Sequence, residues 1–357
     1  RLNPHYSSWM SAIRSNGYST SLFGKTHLHW QRADLREGVD LIKAYGFSSV
    51  DEISGPWGLS YLRCNLTDLW EREGLWDIYR ADLENRANNS DVLPRPSPLP
   101  FDLYYDVYVA RTARNHITRL PDNQPWFCCV SFAGPHEPWD APEPYASKYD
   151  PALMPAPRPR TFDALGSVLD ELLSSPKFSP QMSAHDVAAL RANYAGSVSL
   201  IDDLIGEILD VIEARGETDN TLVAFASDHG EMNGDYGLLY KANFLDPAIK
   251  TPLIVAPPVN GDSKIGSACD QLTALMDVGA TLADYAGAPH WSHRDARSLR
   301  GLIENRTTHH RDYVVSQFQS HTCIITPKLK IELDEANTPV LAFDRSVDPL
   351  ESRNIVA

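Results

Sequence analysis

The chain has 357 residues and a formal net charge of −15 at pH 7. Such an acidic chain is not expected to bind nucleic acid or an anionic membrane, although net charge does not exclude a local cationic pocket for a small anion. Hydrophobic residues make up 43% of the sequence, which is enough for a large core or two. No apolar run is long enough to span a bilayer. The five cysteines lack metal-type spacing, so free thiols are expected.

Strand-like and helix-like segments alternate over the first 290 residues. In chain order the pattern predicts a helix at 8–16, a strand at 19–23, a helix at 101–120, a strand at 126–132, a helix at 183–215, strands at 222–226 and 252–256, and a helix at 270–286. Residues 46–100 and 135–181 are predicted to be excursions of loops and short helices. The alternation indicates an α/β fold.

The sequence pattern changes near residue 313. Four short strands are predicted at 313–318, 323–326, 329–333 and 340–343, separated by polar turns, and they indicate a small antiparallel sheet. We therefore expect an α/β catalytic domain over residues 1–305 and a C-terminal subdomain over residues 306–357.

The most informative segment is an apolar run that leads directly into Asp228, His229 and Gly230. The run at 222–226 is predicted to be a buried strand of a parallel sheet. Ligands collect just past the carboxyl ends of such strands, and an Asp–His pair there is suited to bind a divalent cation. The alternative is a strand-to-loop turn in which Asp228 only caps backbone amides.

A second cluster, Gly24-Lys25-Thr26-His27-Leu28-His29, follows the first predicted strand. If the chain stays extended, Lys25, His27 and His29 alternate onto one face. A cation beside two imidazoles suits a site that binds an anion and transfers protons. The alternative is a solvated basic edge strand, which we favour for His29.

Three further candidates lie in loops. His136 follows the predicted strand at 126–132, and Pro135 and Pro138 are expected to hold it at a fixed angle near the carboxyl edge of the sheet. Lys241 lies downstream of the Asp–His pair. Taken alone, such a His is more often structural and such a Lys is more often solvated surface. Trp139 is the tryptophan most expected to be exposed and to stack on a sugar or aryl ring.

Together, and in this order, the segments resemble the sulfatase family of the alkaline-phosphatase superfamily. The matching segments are G-Y-S-T-S-L-F-G-K-T-H-L at 17–28, F-C-C-V-S-F-A-G-P-H-E-P-W at 127–139, D-N-T-L-V-A-F-A-S-D-H-G-E at 219–231, G-L-L-Y-K at 237–241 and F-D-R-S-V-D-P-L-E-S-R-N at 343–354. Their collinearity makes the resemblance specific. It implies an alkaline-phosphatase-like fold, with a mixed, mostly parallel sheet sandwiched by helices and a small C-terminal antiparallel α+β subdomain.

The resemblance implies a metal site. Asp228 and His229 correspond to two ligands of one divalent cation, which is usually Ca²⁺ and sometimes Mg²⁺ or Mn²⁺. Many family members carry Asn where His229 stands. Family members also carry a D-D-x-G segment near the N-terminus that supplies two more ligands, and this chain has no such segment there.

The resemblance also implies catalytic residues. Lys25 and His27 correspond to the pair that orients and activates the nucleophile. His136 and Lys241 correspond to the residues that hold the sulfate oxygens and assist the leaving alkoxide. Cations and donors around a tetrahedral anion stabilise the charge that develops in the transition state.

The nucleophile of the family is absent from the sequence. It is the first residue of a Cys/Ser-x-Pro-x-Arg segment, which matures to formylglycine, and the chain contains no such segment. In the family the segment matching 17–27 lies downstream of the nucleophile. We therefore expect the chain to begin after it, with the nucleophile supplied by a complementary N-terminal chain or a longer gene product.

The leading hypothesis is a metal-dependent hydrolase of an aryl, sugar or polysaccharide sulfate ester. One alternative is a phosphonate or phosphate ester hydrolase on the same scaffold, because such a site recognises a tetrahedral oxyanion. Another is a catalytically inactive, sulfatase-like protein that binds an anion. The expected partner is a small-molecule or carbohydrate sulfate ester, with no nucleic acid and no membrane span.

Overall fold

The computed structural model describes residue 3 and residues 6–88, 93–259, 266–288 and 295–356. The chain divides into two compact units. The first unit comprises Arg1–Met154, Ala188–Thr221 and Leu282–Ser292, and the second comprises Pro155–Val187, Leu222–Thr281 and His293–Ala357. The expected domain boundary between residues 305 and 306 stays a prediction.

Helices and strands alternate along the first 290 residues, as the sequence predicts. The helices are α1 (Trp9–Ser15), α2 (Val39–Ala44), α3 (Asn65–Arg72), α4 (Trp76–Asn88), α5 (Tyr105–Thr118), α6 (Val168–Ser174), α7 (Ala184–Ala214), α8 (Asp246–Ile249), α9 (Met276–Tyr285) and α10 (Arg300–Ile303). The strands are β1 (Ser19–Lys25), β2 (Ser49–Ile53), β3 (Trp126–Ser131), β4 (Val223–Ala226), β5 (Leu253–Ala256), β6 (Val314–Phe318), β7 (His321–Ile325), β8 (Leu329–Leu333) and β9 (Pro339–Asp344).

The first unit contains a parallel sheet in the order β2–β1–β3. Helix α5 packs against it with the buried face that the spacing of four predicts, Tyr105, Val109, Ala113 and Ile117. Strand β2 lies in the segment that was expected to hold only loops and short helices. Its sequence, S-V-D-E-I, carries two adjacent acids that weaken the local strand pattern, and pairing with β1 overrides that weakness.

The second unit contains antiparallel strands. Strands β6, β7, β8 and β9 form a sheet in chain order, which confirms the predicted C-terminal antiparallel sheet. Strand β4 pairs with β5, also antiparallel, and Ala226 at its end is exposed. The expectation of a buried parallel strand at 222–226 is therefore wrong for the part of the chain that the structure describes. An apolar run indicates a strand, but it does not specify the direction of its partner.

The predicted fold class, an α/β protein with a parallel sheet, helices and a C-terminal antiparallel sheet, is confirmed. Helix α9 is shorter than the predicted helix at 270–286. The five cysteines are free thiols, as expected. Among the helices that the described residues form, none is both long and apolar enough to cross a membrane.

Candidate functional site

Lys25 and His27 lie at the carboxyl end of β1. Lys25 is the last residue of the strand and lies opposite Ile53 of β2. Its side chain runs beside Gly55, where an added Cβ would be 3.4 Å from Lys25 Cε and 3.6 Å from Nζ. His27 follows outside the strand and is exposed. The condition for placing Lys25, His27 and His29 on one face of a strand is not met, because the sheet pairing stops at Lys25.

His29 belongs to the interior of the first unit. It is 5% exposed, and its Nε2 atom lies 2.9 Å from Oε2 of Glu52, which is 4% exposed. Its Nδ1 atom lies 3.1 Å from the carbonyl oxygen of Trp30. The prediction of a solvated edge position for His29 is therefore wrong. The buried carboxylate of Glu52 gives the imidazole a partner that removes the need for water.

His136 lies in the loop that follows β3, with its ring oriented by the next residue. Its Nδ1 atom is 2.9 Å from both the carbonyl oxygen and Oε2 of Glu137. A proton on Nδ1 is held by these acceptors, so the neutral ring carries its lone pair on Nε2. The arrangement suits proton transfer through Nε2.

A buried carboxylate holds the start of this loop. Asp106, in the first turn of α5, is 1% exposed and accepts hydrogen bonds from the backbone N–H groups of Ala133 at 2.7 Å and Gly134 at 3.0 Å. Burial raises the pKa of Asp106 to about 7, while the two amides and the charge of Lys25 act in the opposite direction. The loop that carries His136 is thus anchored two residues before it.

The far end of the loop is anchored in the same way. Buried Arg86 donates to the Pro138 carbonyl at 3.2 Å, and the Tyr105 hydroxyl donates to Asp140 at 2.8 Å. Trp139, between these anchors, is 2% exposed. The prediction that Trp139 presents an exposed ring is therefore wrong. Fixing both neighbours of Trp139 to buried groups turns its side chain inward, and a loop sequence does not reveal such anchors.

Asp228 and His229 form a turn directly after β4 in the second unit. The Asp228 side chain is 72% exposed, and its Oδ2 atom lies 3.7 Å from Nε2 of His229. The Nδ1 atom of His229 is 2.9 Å from the Gly230 carbonyl oxygen. The turn rests on α8, because Gly230 N–H donates to the Ala248 carbonyl at 2.7 Å. A Cβ on Gly230 would lie 1.9 Å from the Pro247 carbonyl oxygen, so glycine is required there.

The donor atoms of this turn fit two ligands of one cation. A proton on Nδ1, bonded to the Gly230 carbonyl, leaves Nε2 with the lone pair that a metal needs. The distance of 3.7 Å between Nε2 of His229 and Oδ2 of Asp228 falls in the range of about 3–4 Å expected for two ligands of one ion. Within the described ranges, no group of three or more His, Cys, Asp or Glu side chains is arranged to hold a metal ion. The turn therefore offers two donors of the larger set that a hard cation takes.

Glu231 connects this turn to Lys241 within the second unit. Its Oε1 atom accepts hydrogen bonds from the backbone N–H groups of Asn233, at 3.1 Å, and Tyr240. Tyr240 and Ala242, on either side of Lys241, have φ values of 67° and 76°. Residues other than glycine in the left-handed region cost about 1–3 kcal/mol each and cluster at functional sites. The backbone around Lys241 is therefore held in an unfavourable conformation by its surroundings.

Within each unit the structure brings several predicted residues together. In the first unit, Lys25 ends β1, and His27 and His136 lie in the loops that follow the carboxyl ends of the neighbouring parallel strands β1 and β3. In the second unit, Glu231 follows the Asp228 turn, and its carboxylate accepts a hydrogen bond from the backbone N–H of Tyr240, the residue before Lys241. The sequence interpretation missed Glu52 and Asp106, which anchor the loops of the first unit. Neither had a signal, because an acid in a strand or in a first helical turn is ordinary until the fold shows that it is buried.

The fold is shared with known hydrolases. A solved phosphonate monoester hydrolase from Silicibacter pomeroyi superposes with a TM-score of 0.73 at 22% identity, covering 99% of this chain and 76% of that one. The chain therefore has the fold of sulfatases and phosphonate monoester hydrolases. The sulfatase family model matches residues 2–288, and the chain belongs to the sulfatase family.

Two relatives illustrate the family. An arylsulfatase of Clostridium perfringens is 28% identical over 356 residues, covering 97% of this chain and 73% of that protein. A choline-sulfatase of Rhizobium meliloti is 30% identical over 293 residues, covering 77% of this chain and 51% of that protein. The chain thus spans between half and three quarters of the length of these relatives.

Proposed function

We propose that the protein is a metal-dependent hydrolase of sulfate esters that uses a formylglycine nucleophile. One observation carries the proposal. In a chain of the sulfatase family, Lys25, His27 and His136 lie at or just after the carboxyl ends of two neighbouring parallel strands, β1 and β3, where ligands of α/β proteins bind. A cation and imidazoles at such an edge suit the binding and cleavage of a tetrahedral anion.

His136 is proposed to protonate the leaving alkoxide. Its Nδ1 atom interacts with Glu137, which leaves Nε2 as the atom that delivers a proton to the leaving oxygen. Lys241 is proposed to bind a sulfate oxygen, and its constrained backbone supports that role because it limits the directions the side chain takes.

Lys25 and His27 are proposed to act on the nucleophile. The Lys25 ammonium stabilises negative charge on the attacking oxygen, and His27 accepts or returns its proton. The attacking group would be the hydrated aldehyde of formylglycine. The 357 residues contain no Cys/Ser-x-Pro-x-Arg segment to supply it, so the proposal requires that segment from a longer protein or a partner chain.

Asp228 and His229 are proposed to hold one divalent cation. Sulfatases generally use such an ion, and Ca²⁺ is the ion that we propose, with Mg²⁺ or Mn²⁺ as alternatives. When bound, the ion would polarise the ester oxygens and offset their charge. The role of the chain is to present the Asp228 carboxylate and the Nε2 lone pair of His229 on one turn.

The proposed substrate is an aryl or carbohydrate sulfate. The names of the relatives favour sulfate esters, since one is an arylsulfatase and the other is a choline-sulfatase. The structural likeness to a phosphonate monoester hydrolase favours a second candidate, hydrolysis of phosphonate or phosphate monoesters. Both reactions require the recognition of a tetrahedral oxyanion.

The test is an assay of the full-length protein with a chromogenic aryl sulfate, the matching phosphate monoester and a phenyl phosphonate monoester. We expect the highest kcat/KM for the sulfate. His136→Ala is expected to lower kcat by about 10²–10⁴-fold, because it removes the general acid. His309→Ala, which changes an exposed histidine, is the control and should leave kcat unchanged.

Two results would contradict the proposed function, and a third would contradict the role of His136. Preference for the phosphonate would select the second candidate function. Absence of turnover in the full-length protein, combined with binding of inorganic sulfate, would favour an anion-binding protein without catalysis. Unchanged kcat in the His136 variant would return that residue to a structural role.

A further inference from the structure

Glu52 is the centre of a buried hydrogen-bond network around the segment that carries His27. It belongs to β2, lies opposite Gly24 of β1, and is 4% exposed. Its Oε1 atom accepts from the Thr26 hydroxyl at 2.6 Å and from Gln31 Nε2 at 3.3 Å. Its Oε2 atom lies 2.9 Å from Nε2 of His29. One carboxylate thus contacts three of the six residues from Thr26 to Gln31.

These contacts fix the chain on both sides of His27. Thr26 immediately precedes it, and His29 follows two residues later. The His29 ring is in turn packed against Gly38, where an added Cβ would lie 2.2 Å from Cε1 of the ring. The loop therefore has little freedom to move at either end, while the His27 side chain itself remains exposed.

The hydrogen bonds of the network orient its side chains, which packing alone would not do. Removing a carboxylate from water costs several kcal/mol, and an apolar side chain fills the same space without that cost. A carboxylate with directed hydrogen bonds defines the angle of each partner, which an apolar contact does not. His29 has oxygen acceptors at both ring nitrogens, the Glu52 carboxylate and the Trp30 carbonyl, so its ring plane is also defined.

We propose that Glu52 is a positioning residue for His27, acting through Thr26 and His29 to hold the loop after β1 in one conformation. The inference rests on the proposed role of His27 in proton transfer with the nucleophile. Glu52 does not touch the substrate. Loss of the carboxylate lets the loop after Lys25 sample other conformations, so that His27 is displaced from its working position.

The experiment uses the full-length protein with isotopically labelled histidine. The variants are Glu52→Ala and Glu52→Gln, and the control is Asp51→Asn on the same strand. Asp51 accepts from the Tyr108 hydroxyl at 2.8 Å and from Asn65 Nδ2 at 3.0 Å, away from the loop after β1. The measurements are kcat and KM for an aryl sulfate, the thermal unfolding midpoint, and the imidazole NMR signal of His27, assigned with His27→Gln.

We expect Glu52→Ala to lower kcat by about 100-fold with KM changed by less than about 3-fold. A displacement of a catalytic group, here His27, by about 1 Å lowers the rate by about that factor. The His27 signal should shift or broaden. Glu52→Gln keeps an acceptor for Thr26 and Gln31, so kcat should recover to within about 10-fold of the wild type. Asp51→Asn should change kcat by less than about 3-fold and leave the His27 signal in place, whatever its effect on stability.

A Glu52→Ala protein with a lowered unfolding midpoint but wild-type kcat and an unshifted His27 signal would overturn the inference. If Glu52→Ala does not fold, Thr26→Val carries the test, since it removes only the 2.6 Å hydrogen bond. We then expect kcat to fall about 10-fold and the signal to shift, and no change in either would overturn the inference. If the wild type cleaves no ester, the proposed function fails, and the His27 signal of the variants alone decides whether Glu52 positions His27.

Discussion

At the residue scale, two candidate side chains are histidines whose Nδ1 atom is already engaged. His136 interacts with Glu137 through Nδ1, and His229 interacts with the Gly230 carbonyl in the same way. Each ring therefore presents Nε2 for chemistry, as a proton carrier in one case and as a metal ligand in the other. The same residue type is suited to two tasks by the groups that follow it in the chain.

Asp228→Ala is expected to weaken binding of a divalent cation by about 100-fold or more, since even partners outside the first coordination shell contribute 10–100-fold. The measurement is metal content by plasma mass spectrometry, with calorimetric titration of Ca²⁺, Mg²⁺ and Mn²⁺ into metal-free protein. Asp219→Ala, an exposed acid upstream of β4, is the control and should bind like the wild type. Wild-type affinity in the Asp228 variant would contradict its assignment as a ligand.

Asp106 is expected to make stability depend on pH near neutrality. Burial raises its pKa from 3.8 to about 7, so between these values the folded state keeps a proton that the unfolded state releases. The folded state therefore loses stability as pH rises through this window, by on the order of 1.4 kcal/mol for each pH unit. Below pH 3.8 and above about 7 the contribution is constant.

The measurement is the thermal unfolding midpoint of wild type and Asp106→Asn from pH 4.5 to 8. Subtracting the two curves removes the contributions of groups that both proteins share. We expect the wild type to lose stability relative to the variant as pH rises to about 7. A difference that stays constant, or that changes in favour of the wild type, would contradict the raised pKa.

At the element scale, strands β1 and β3 approach so closely that one position requires glycine. Gly24 has φ +109°, and a Cβ there would lie 1.9 Å from the Ser131 carbonyl oxygen and 3.2 Å from Val109 Cγ1. This contact lies just before Lys25, at the carboxyl edge of β1 and β3. The glycine thus allows the two strands to deliver Lys25 and the His136 loop to the same edge.

Gly24→Ala is expected to destabilise the protein by more than about 3 kcal/mol, because backbone atoms must move in addition to the strain of a positive φ. Gly17→Ala is the matched control, since Gly17 has φ +91° but no atom within 4 Å of an added Cβ. It should cost only the roughly 1–2 kcal/mol of the backbone conformation. Equal unfolding midpoints for the two variants in calorimetry would show that the contact of an added Cβ with Ser131 does not lower the stability of the fold.

Element type was largely predictable, and element partners were not. The strand at 329–333 and the buried face of α5 follow from periodicity of two and about four, which are local properties. The antiparallel pairing of β4 with β5 and the presence of β2 depend on segments distant in sequence. A local sequence pattern carries no information about pairing with such distant segments.

At the scale of the whole molecule, the tail that resembles the family ending has a structural role in the second unit. Lys330 of β8, 3% exposed on its side chain, pairs with Glu351 of the tail and with Asp246 of α8, the latter at 2.5 Å. Glu351 also accepts from the backbone N–H of Asp246 at 2.8 Å. Since α8 supports the turn at Gly230, the tail stabilises the element on which the Asp228 turn rests.

Lys330→Met is expected to destabilise the protein by about 3–5 kcal/mol, because it leaves the buried Glu351 carboxylate without its cation and leaves Asp246 only the more distant Arg345, at 4.0 Å. The penalty should shrink at low pH, because burial raises the pKa of Glu351 and its carboxylate is the first of the two to take up a proton. Lys328→Met is the control, since Lys328 is exposed, and it should change stability by less than about 0.5 kcal/mol. Calorimetry at pH 5 and pH 8 measures both effects. An equal penalty at the two pH values would contradict the role of the buried charges.

The sequence by itself determined the family, the order of elements and the residue types of the candidate site, because motifs and periodicity are local and survive without a fold. The roles of Lys25, His27, His136, Asp228, His229 and Lys241 stay predictions. Only the tertiary structure decided that Trp139 and His29 are buried and that Glu52 and Asp106 anchor the loops of the first unit. Burial is set by contacts between residues far apart in the chain, and the same acid is solvated or structural according to what the fold places around it.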